Sequence, residues 1–275
     1  MNRASVVVSF YNNLPALKLI LTALNLQSIK DFEVVIADDG SRPEVVKDIS
    51  KLLSRYSFSI KHVWHEDKGF RKNEVLNKAI LASDTEYIIF MDGDCIPHIS
   101  FVADHLKFAK LKRVVAGRRV MMSEKLSAKV NEDFVRKKKL FSFKFFVELL
   151  IDSFIKKSRH VESAFFIRLP FINKMFGNYK RGVKGCNFSL HKSGLLAVNG
   201  FDMRYKLPCV GEDTDIEYRL KLLNYEVFLP KFRLIQYHLY HMLQSRDGVE
   251  TNKVILLETI KHKRIKATLG INQLS

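Results

Sequence analysis

Between residues 5 and 91 the chain alternates two hydrophobic periods. SVVVSF (5–10) is a short β-branched run, and LPALKLILTALNLQ after it puts Leu17, Ile20, Leu21 and Leu24 on one helical stripe. FEVVIADDGS is a second apolar strand, ending in two acids, a Gly and a Ser. PEVVKDISKLLSRY opens with Pro at a first helical position and carries Val46, Ile49, Leu52 and Leu53 on one face. SIKHVWH reads as a strand, NEVLNKAILAS as a helix and EYIIFMDGD as a strand. Wholly apolar strands separated by helices predict an α/β fold with a mostly parallel sheet covered on both faces. Ligands in such sheets bind beyond the carboxyl ends of the strands. Ser9-Phe10-Tyr11, Asp38-Asp39-Gly40-Ser41 and Asp92-Gly93-Asp94 all fall at strand ends, so they are expected to converge on one edge.

From about 123 to 181 Lys and Phe dominate, with helical character and no strand signal, which predicts an inserted helical segment. The α/β texture returns at 182: VKGCNFSLHK as a strand, SGLLAVNGFD as a short helix and turn, and GEDTDIEYRLKLLNY as a helix with Ile216, Leu220 and Leu223 inward. EVFLP and FRLIQYH read as strands and GVETNKVILLETIKHKR as a terminal helix. With no repeat or low-complexity linker, one domain is expected over 1–275. It divides into a half at 1–120, the insertion at 121–181 and a second half at 182–275.

Composition narrows the class. A chain 47% hydrophobic and 27% charged, with mean hydropathy near zero, is globular. Three widely spaced cysteines, Cys95, Cys186 and Cys209, match no zinc pattern, suggest a reducing compartment and read as structural. The apolar run at the N-terminus is too short for a secretory signal, so a cytoplasmic location is expected. The longest apolar stretch (140–155) is broken by Lys144, Glu148 and Asp152 and does not read as a membrane span. A formal charge of +17 calls for an anionic partner: nucleic acid, lipid or a phosphorylated substrate. It concentrates in RKKK (136–139), KK (156–157) and KRGVK (180–184), interleaved with Phe.

Two carboxylates one residue apart at the end of an apolar strand repel each other and need a positive partner. Alternation puts Asp92 and Asp94 on the same side of an extended chain, and hard oxygen ligands suit magnesium or manganese. Taken alone, Asp-Gly-Asp is equally compatible with an acidic turn.

The ordered set SVVVSFYN, VVIADDGS, HEDKGFRKNEVLNKAI, FMDGD, NGFD and GEDTDIEYRL resembles family 2 glycosyltransferases of the GT-A (Rossmann-like) fold. The C-terminal part, KGCNFSLHKSGLLAVNGFD with GEDTDIEYRL, is similar to the galactosyltransferase-type half of bacterial chondroitin-type polymerases. The resemblance covers roughly 5–120 and 182–245. It implies that Ser9, Phe10 and Tyr11 line a nucleotide and that Asp38 or Asp39 bonds its base or ribose. Asp94 would ligate the metal, and Asp92, across Gly93, would contact ribose or metal-bound water. His238 or His241 would complete the metal set, which favours manganese over magnesium. The cationic pair Lys68 and Arg71 would suit a phosphate or a carboxylated sugar, with Gly69 allowing close backbone approach; the resemblance implies that Asn77 lies near the donor and that Gly185, Cys186 and Asn187 edge the sugar pocket. Asn199-Gly200-Phe201-Asp202 would turn toward the acceptor side.

Glu212 and Asp213 open a helix, where the dipole favours acids whether as caps or as catalysts. The resemblance makes Asp213 the general base and Glu212 a partner of the acceptor sugar. The function implied is inverting transfer of a hexosyl group from a UDP-type nucleotide sugar to a saccharide or lipid-linked saccharide acceptor in bacterial surface polysaccharide or lipopolysaccharide synthesis. The Lys/Phe-rich region suggests a peripheral contact with anionic lipid at the inner face of the membrane. Two other classes also bind anions: a basic nucleic-acid-binding protein and a non-catalytic sugar-nucleotide module. The first lacks any helix-turn-helix, zinc-finger or RNA-recognition signature and leaves the acidic motifs unexplained. The second leaves Asp94, Glu212 and Asp213 without a role.

Overall fold

A computed structural model describes residues 3–155, 157–167, 182–208, 211–242 and 247–274. Cys209, Lys156 and residues 168–181 of the expected insertion lie outside them.

The β-branched runs form the parallel side of a seven-stranded sheet. β1 (Ala4–Phe10) lies between β2 (Phe32–Asp38) and β4 (Tyr87–Asp92), and β3 (Ile60–Trp64) flanks β2. Pairing Phe10 with Asp38 and Ser9 with Asp92 sets the three expected clusters side by side at one sheet edge. β5 (Cys95–Pro97), β6 (Arg113–Ala116) and β7 (Arg118–Met121) follow; the sequence pattern did not resolve them. β8 (Asn187–His191) runs antiparallel between β4 and β6, and β9 (Glu226–Phe228) closes the far edge beside β6. The last predicted strand, β10 (Ile235–His238), leaves this sheet and joins β5 and β7 in a second, three-stranded one. It pairs His238 with Cys95, and the Leu239 N–H donates to the Asp94 carbonyl at 2.9 Å. That register brings the C-terminal histidines to the acidic turn.

Helices cover both faces. α1 (Leu14–Asn25) buries Leu17, Ile20, Leu21 and Leu24 fully, as its stripe predicts. α2 (Pro43–Leu53) is rotated from expectation: it buries Val45, Ile49 and Leu52, and leaves Val46 and Leu53 partly exposed. α3 (Lys72–Ala82) packs Val75, Ala79 and Ile80 on the other face. There it meets the 3-10 turn at Ile271–Gln273 and the 201–202 turn directly, while α4 (Phe101–Phe108) follows β5. Each fully buried Leu, Ile or Phe contributes about 1.5–3 kcal/mol.

The expected insertion is made of short pieces: α5 (Glu124–Ala128), α6 (Glu132–Arg136) and α7 (Phe143–Phe154), with 3-10 turns between and after. Val135, Leu140, Phe145 and Leu149 sink into the same core as α1, so the segment completes one face of the sheet. α8 (Lys192–Ala197), α9 (Glu212–Leu222) and α10 (Val249–Lys261) complete the fold. Ile216 and Leu220 of α9 are buried and Leu223 packs at the margin, as the stripe predicts.

Candidate active site

Two acidic strand ends lie next to each other and differ in their partners. Asp38 is fully buried: one oxygen accepts from the Ser41 N–H at 2.8 Å, and the other meets His62 Nε2 at 2.9 Å. Asp39 retains a small exposed edge and accepts from His65 Nε2 at 2.8 Å and the Arg71 N–H at 3.0 Å. The resemblance left Asp38 or Asp39 open, and only Asp39 has an edge that a ligand could reach. Gly40 turns the chain at φ 90°, where a Cβ would stand 2.6 Å from the Asp67 Cα. Exposed Tyr11 donates to Asp67 at 3.0 Å and forms the rim.

At the neighbouring strand end, Asp92 is bracketed by cations. Lys72 Nζ lies 3.0 Å from one oxygen, with the Ser9 hydroxyl at 3.1 Å, and Arg119 Nη1 lies 3.2 Å from the other. Burial works against the Lys72 charge, but Asp92 and, more distantly, Glu212 outweigh it and hold the ammonium above the ordinary lysine range. Gly93 admits the turn because a Cβ there would sit 2.4 Å from the Ser9 carbonyl oxygen.

Asp94 faces a different set. His238 Nε2 and His241 Nε2 lie 3.3 and 3.2 Å from its Oδ2 and 3.2 Å from each other. These three ligand atoms fall within 4.8 Å of one another. Separations near 3 Å are what a first-row ion with bonds of about 2 Å requires. His241 Nδ1 lies 2.8 Å from the Met242 carbonyl; with Nδ1–H donating there, a neutral ring would offer its Nε2 lone pair to a cation beside Asp94, whereas without a cation the protonated ring donates from Nε2 to the carboxylate. Burial pushes the Asp94 carboxyl up, but hydrogen bonds from His238 and His241 override it and hold the group well below the usual carboxylate range. One anionic oxygen and two imidazoles therefore fit a divalent cation. Asp92 is matched by Lys72 and Arg119 and Asp94 by imidazoles, while ligand oxygens of the two acids and the Cys95 Sγ also lie within 4.8 Å of one another, as their spacing suggested.

Across the sheet edge, Glu212 and Asp213 begin α9 behind Gly211, whose φ of 122° makes the sharp entry. They line a pocket with Ser9, Lys72, Leu76, Phe90, Gly185 and Phe201. The Gly185 N–H donates to Asp213 at 3.2 Å and fixes its direction. Burial pushes the Glu212 carboxyl up, opposed by Lys72.

Most expected residues gather here: Ser9, Asp92, Gly93, Asp94, Gly185, Glu212, Asp213 and both histidines. Others do not. Asn77 is fully buried, and its amide bonds both the N–H and the carbonyl of Phe201 at 2.8 Å, so it fastens the 199–202 turn and cannot reach a donor. The buried Arg219–Asp215 pair braces the same turn, as Arg219 donates to the Val198 and Gly200 carbonyls. Lys68 is exposed beside Glu66 at 3.2 Å. The Arg71 guanidinium is held by Glu74 and the Glu66 carbonyl. Phe10 is buried in the core and supports the edge from below. The sequence pattern missed Lys72 and Arg119. Their signals were a lysine on the buried face of α3, in line with Leu76, and a charged pair inside an apolar strand, Arg118–Met121.

A family model described as "Glycosyl transferase family 2" matches residues 5–169, more than half of the chain. The chondroitin synthase of Escherichia coli is 31% identical over 116 residues, covering 41% of this chain and 16% of that protein. The cholesterol galactosyltransferase of Borreliella burgdorferi is 29% identical over 92 residues, covering 34% and 25%. The matched stretches thus cover a quarter or less of the length of these relatives. Among solved structures, GalNAc-T7 with UDP, GalNAc and Mn2+ superposes with a TM-score of 0.65 at 12% identity, covering 94% of this chain and 48% of that one. The Pyrobaculum calidifontis mannosyltransferase PcManGT in complex with GDP-Man and Mn2+ gives 0.55 at 17% identity, covering 95% and 64%. The mostly parallel sheet, the acidic strand ends and these likenesses lead to one conclusion: the chain has the GT-A fold and belongs to glycosyltransferase family 2.

Proposed function

We propose that the chain is a metal-dependent, inverting hexosyltransferase that moves a sugar from a nucleotide sugar, UDP-linked in preference, to a saccharide or lipid-linked saccharide acceptor. The observation that carries this reading is a single pocket with the Glu212–Asp213 carboxylates on one side and the Lys72–Asp92 pair on the other, with Asp94, His238 and His241 at the neighbouring turn. Asp213 takes the proton of the acceptor hydroxyl. The acceptor oxygen bonds to the anomeric carbon as the bond to the diphosphate breaks, which turns an α-linked donor into a β-linked product. Glu212 hydrogen-bonds the acceptor sugar and sets that oxygen in line. Lys72 and Arg119, held on Asp92, offer positive charge to the leaving diphosphate. Tyr11 and Asp39 border the nucleotide. Asp94, His238 and His241 would hold a divalent cation, which when bound would supply Lewis-acid neutralisation of the diphosphate, and their mixed oxygen and imidazole set favours manganese over magnesium.

Support for the metal and the nucleotide comes from the similar folds solved with UDP or GDP-Man and Mn2+. Similarity to chondroitin synthase supports a polysaccharide product, made where nucleotide sugars are available, on the cytoplasmic side of a bacterial membrane. In this reading 1–120 binds the nucleotide sugar and 182–275 binds the acceptor and catalyses. The described part of the intervening segment, 121–155 and 157–167, serves as scaffold. Nucleic acid has no place in this reading, because the sequence carries no nucleic-acid-binding signature and such a partner would leave the acidic motifs without a role. A donor-hydrolysis screen tests the proposal: UDP- and GDP-sugars with manganese, magnesium or EDTA, reading released nucleoside diphosphate. Release from one donor that EDTA and Asp213→Asn leave untouched would overturn it.

A further inference from the structure

α7 is apolar on two opposite sides, and only one of them is covered. Phe145 and Leu149 enter the core, with Asp152 accepting from the Ser158 hydroxyl at 2.5 Å on the same inward side. Phe143, Val147, Ile151 and Phe154 recur at helical spacing on the outer side, and Ile155 follows them. Phe143 is 76% exposed, Ile151 62% and Phe154 84%. A helix apolar all round is normally buried all round, so this outer stripe is built for an apolar surrounding.

Charge identifies that surrounding. Lys138 and Lys139 precede the helix, Lys144 lies on its outer side and Lys157 follows it, all exposed and without an ion-pair partner among the described residues. Of the two acids in α7, Asp152 faces inward and Glu148 is neutralised by Lys129 at 2.8 Å. The outer side is therefore apolar with a purely basic border. A second copy of this chain would bring those lysines against their counterparts, on molecules that each carry a formal +17. No helix among the described residues is long and apolar enough to cross a membrane. Phe side chains with flanking lysines are the composition of a helix lying in the plane of an anionic bilayer surface.

We infer that the outer side of α7 docks on an anionic phospholipid surface, with Phe143, Ile151 and Phe154 inserted at the acyl boundary and Lys138, Lys139, Lys144 and Lys157 at the headgroup phosphates. This inference is independent of the transferase reading, since it is measured without any sugar donor. The full chain is floated with vesicles of phosphatidylcholine alone or mixed with phosphatidylglycerol, at low and high salt. Binding to the mixed vesicles only, weakened by salt, is expected. Phe143→Ser/Phe154→Ser should lower the partition constant at least about tenfold. Each of Lys138→Gln, Lys139→Gln and Lys144→Gln should lower it about fivefold. Far-UV circular dichroism of each variant checks that the fold persists.

α10, which exposes Val254 and Leu257, is the internal control. Loss of binding in Val254→Ser/Leu257→Ser with retention in Phe143→Ser/Phe154→Ser would place the surface elsewhere and overturn the inference. Equal binding to uncharged vesicles would overturn it, as would a wild-type dimer in light scattering that Phe143→Ser/Phe154→Ser dissolves.

Discussion

Asp38-Asp39 and Asp92-Gly93-Asp94 end the two parallel strands that flank β1, with nearly the same letters, yet their partners differ. Asp38 is enclosed, its oxygens taken by the Ser41 N–H and His62, and Asp39 is largely closed by His65 and the Arg71 N–H. Asp94 Oδ2 faces the His238 and His241 imidazoles, and Asp92 the side-chain cations Lys72 and Arg119. A carboxylate fed by backbone donors is a structural joint, because those donors cannot leave. A carboxylate fed by side chains can exchange them for a ligand. What separates a joint from a site is the identity of the donors, which are set by distant parts of the chain.

The contrast breaks most visibly at the proposed general base. Asp213→Asn should lower sugar transfer by about 10²–10⁴-fold with an unchanged melting temperature, by steady-state assay and thermal scan. Lys72→Met comes next: a loss of roughly 10–100-fold in kcat/KM, with the bound nucleoside diphosphate also weakened. If Lys72→Met left UDP affinity intact, the lysine would serve only to hold Asp92.

At the closed strand end the signs reverse. Asp38→Ala should cost about 1–3 kcal/mol in urea unfolding, by leaving the Ser41 N–H and His62 unpaired, while the folded fraction still hydrolyses donor. A stable but inactive Asp38→Ala would return Asp38 to the nucleotide site.

Smaller effects follow from titration. Burial lowers the His105 pKa to about 3, with an Asn187 hydrogen bond opposing it. The unfolded chain then binds a proton that the native state refuses. Its stability contribution is complete above about pH 6.5 and falls as the pH drops from there toward 3, by at most about 1.4 kcal/mol per pH unit. In denaturant titrations, the stability difference between wild type and His105→Gln should change over that window and stay constant above about pH 7. For Glu212, burial raises the folded pKa, so ionisation works against the fold: its contribution is present below about pH 4.3 and lost as the pH rises through the folded value. Glu212→Gln should therefore raise the melting temperature at neutral pH, with no gain in acid.

The alternating apolar runs made β1 to β4 and their helices legible, because each element buries a complete face and so prints its period in the sequence. Positions Asp94, Glu212 and Asp213 were legible as motifs. The second sheet was not: β5, β7 and β10 have three or four residues each, too few to show a period, and their partners are more than a hundred residues away. That pairing seats both histidines at Asp94, where the sequence offered only a choice between them. Asn77 misled for a related reason. A polar residue near a candidate site reads as a ligand until its partner, the backbone of Phe201, is known.

Calorimetry of manganese and UDP binding to wild type and Asp94→Ala tests the central claim most directly. The account predicts that wild type binds manganese, that UDP binds tightly only with the cation present, and that Asp94→Ala loses both while remaining folded. UDP binding of equal strength in EDTA, or manganese affinity unchanged in Asp94→Ala, would contradict it.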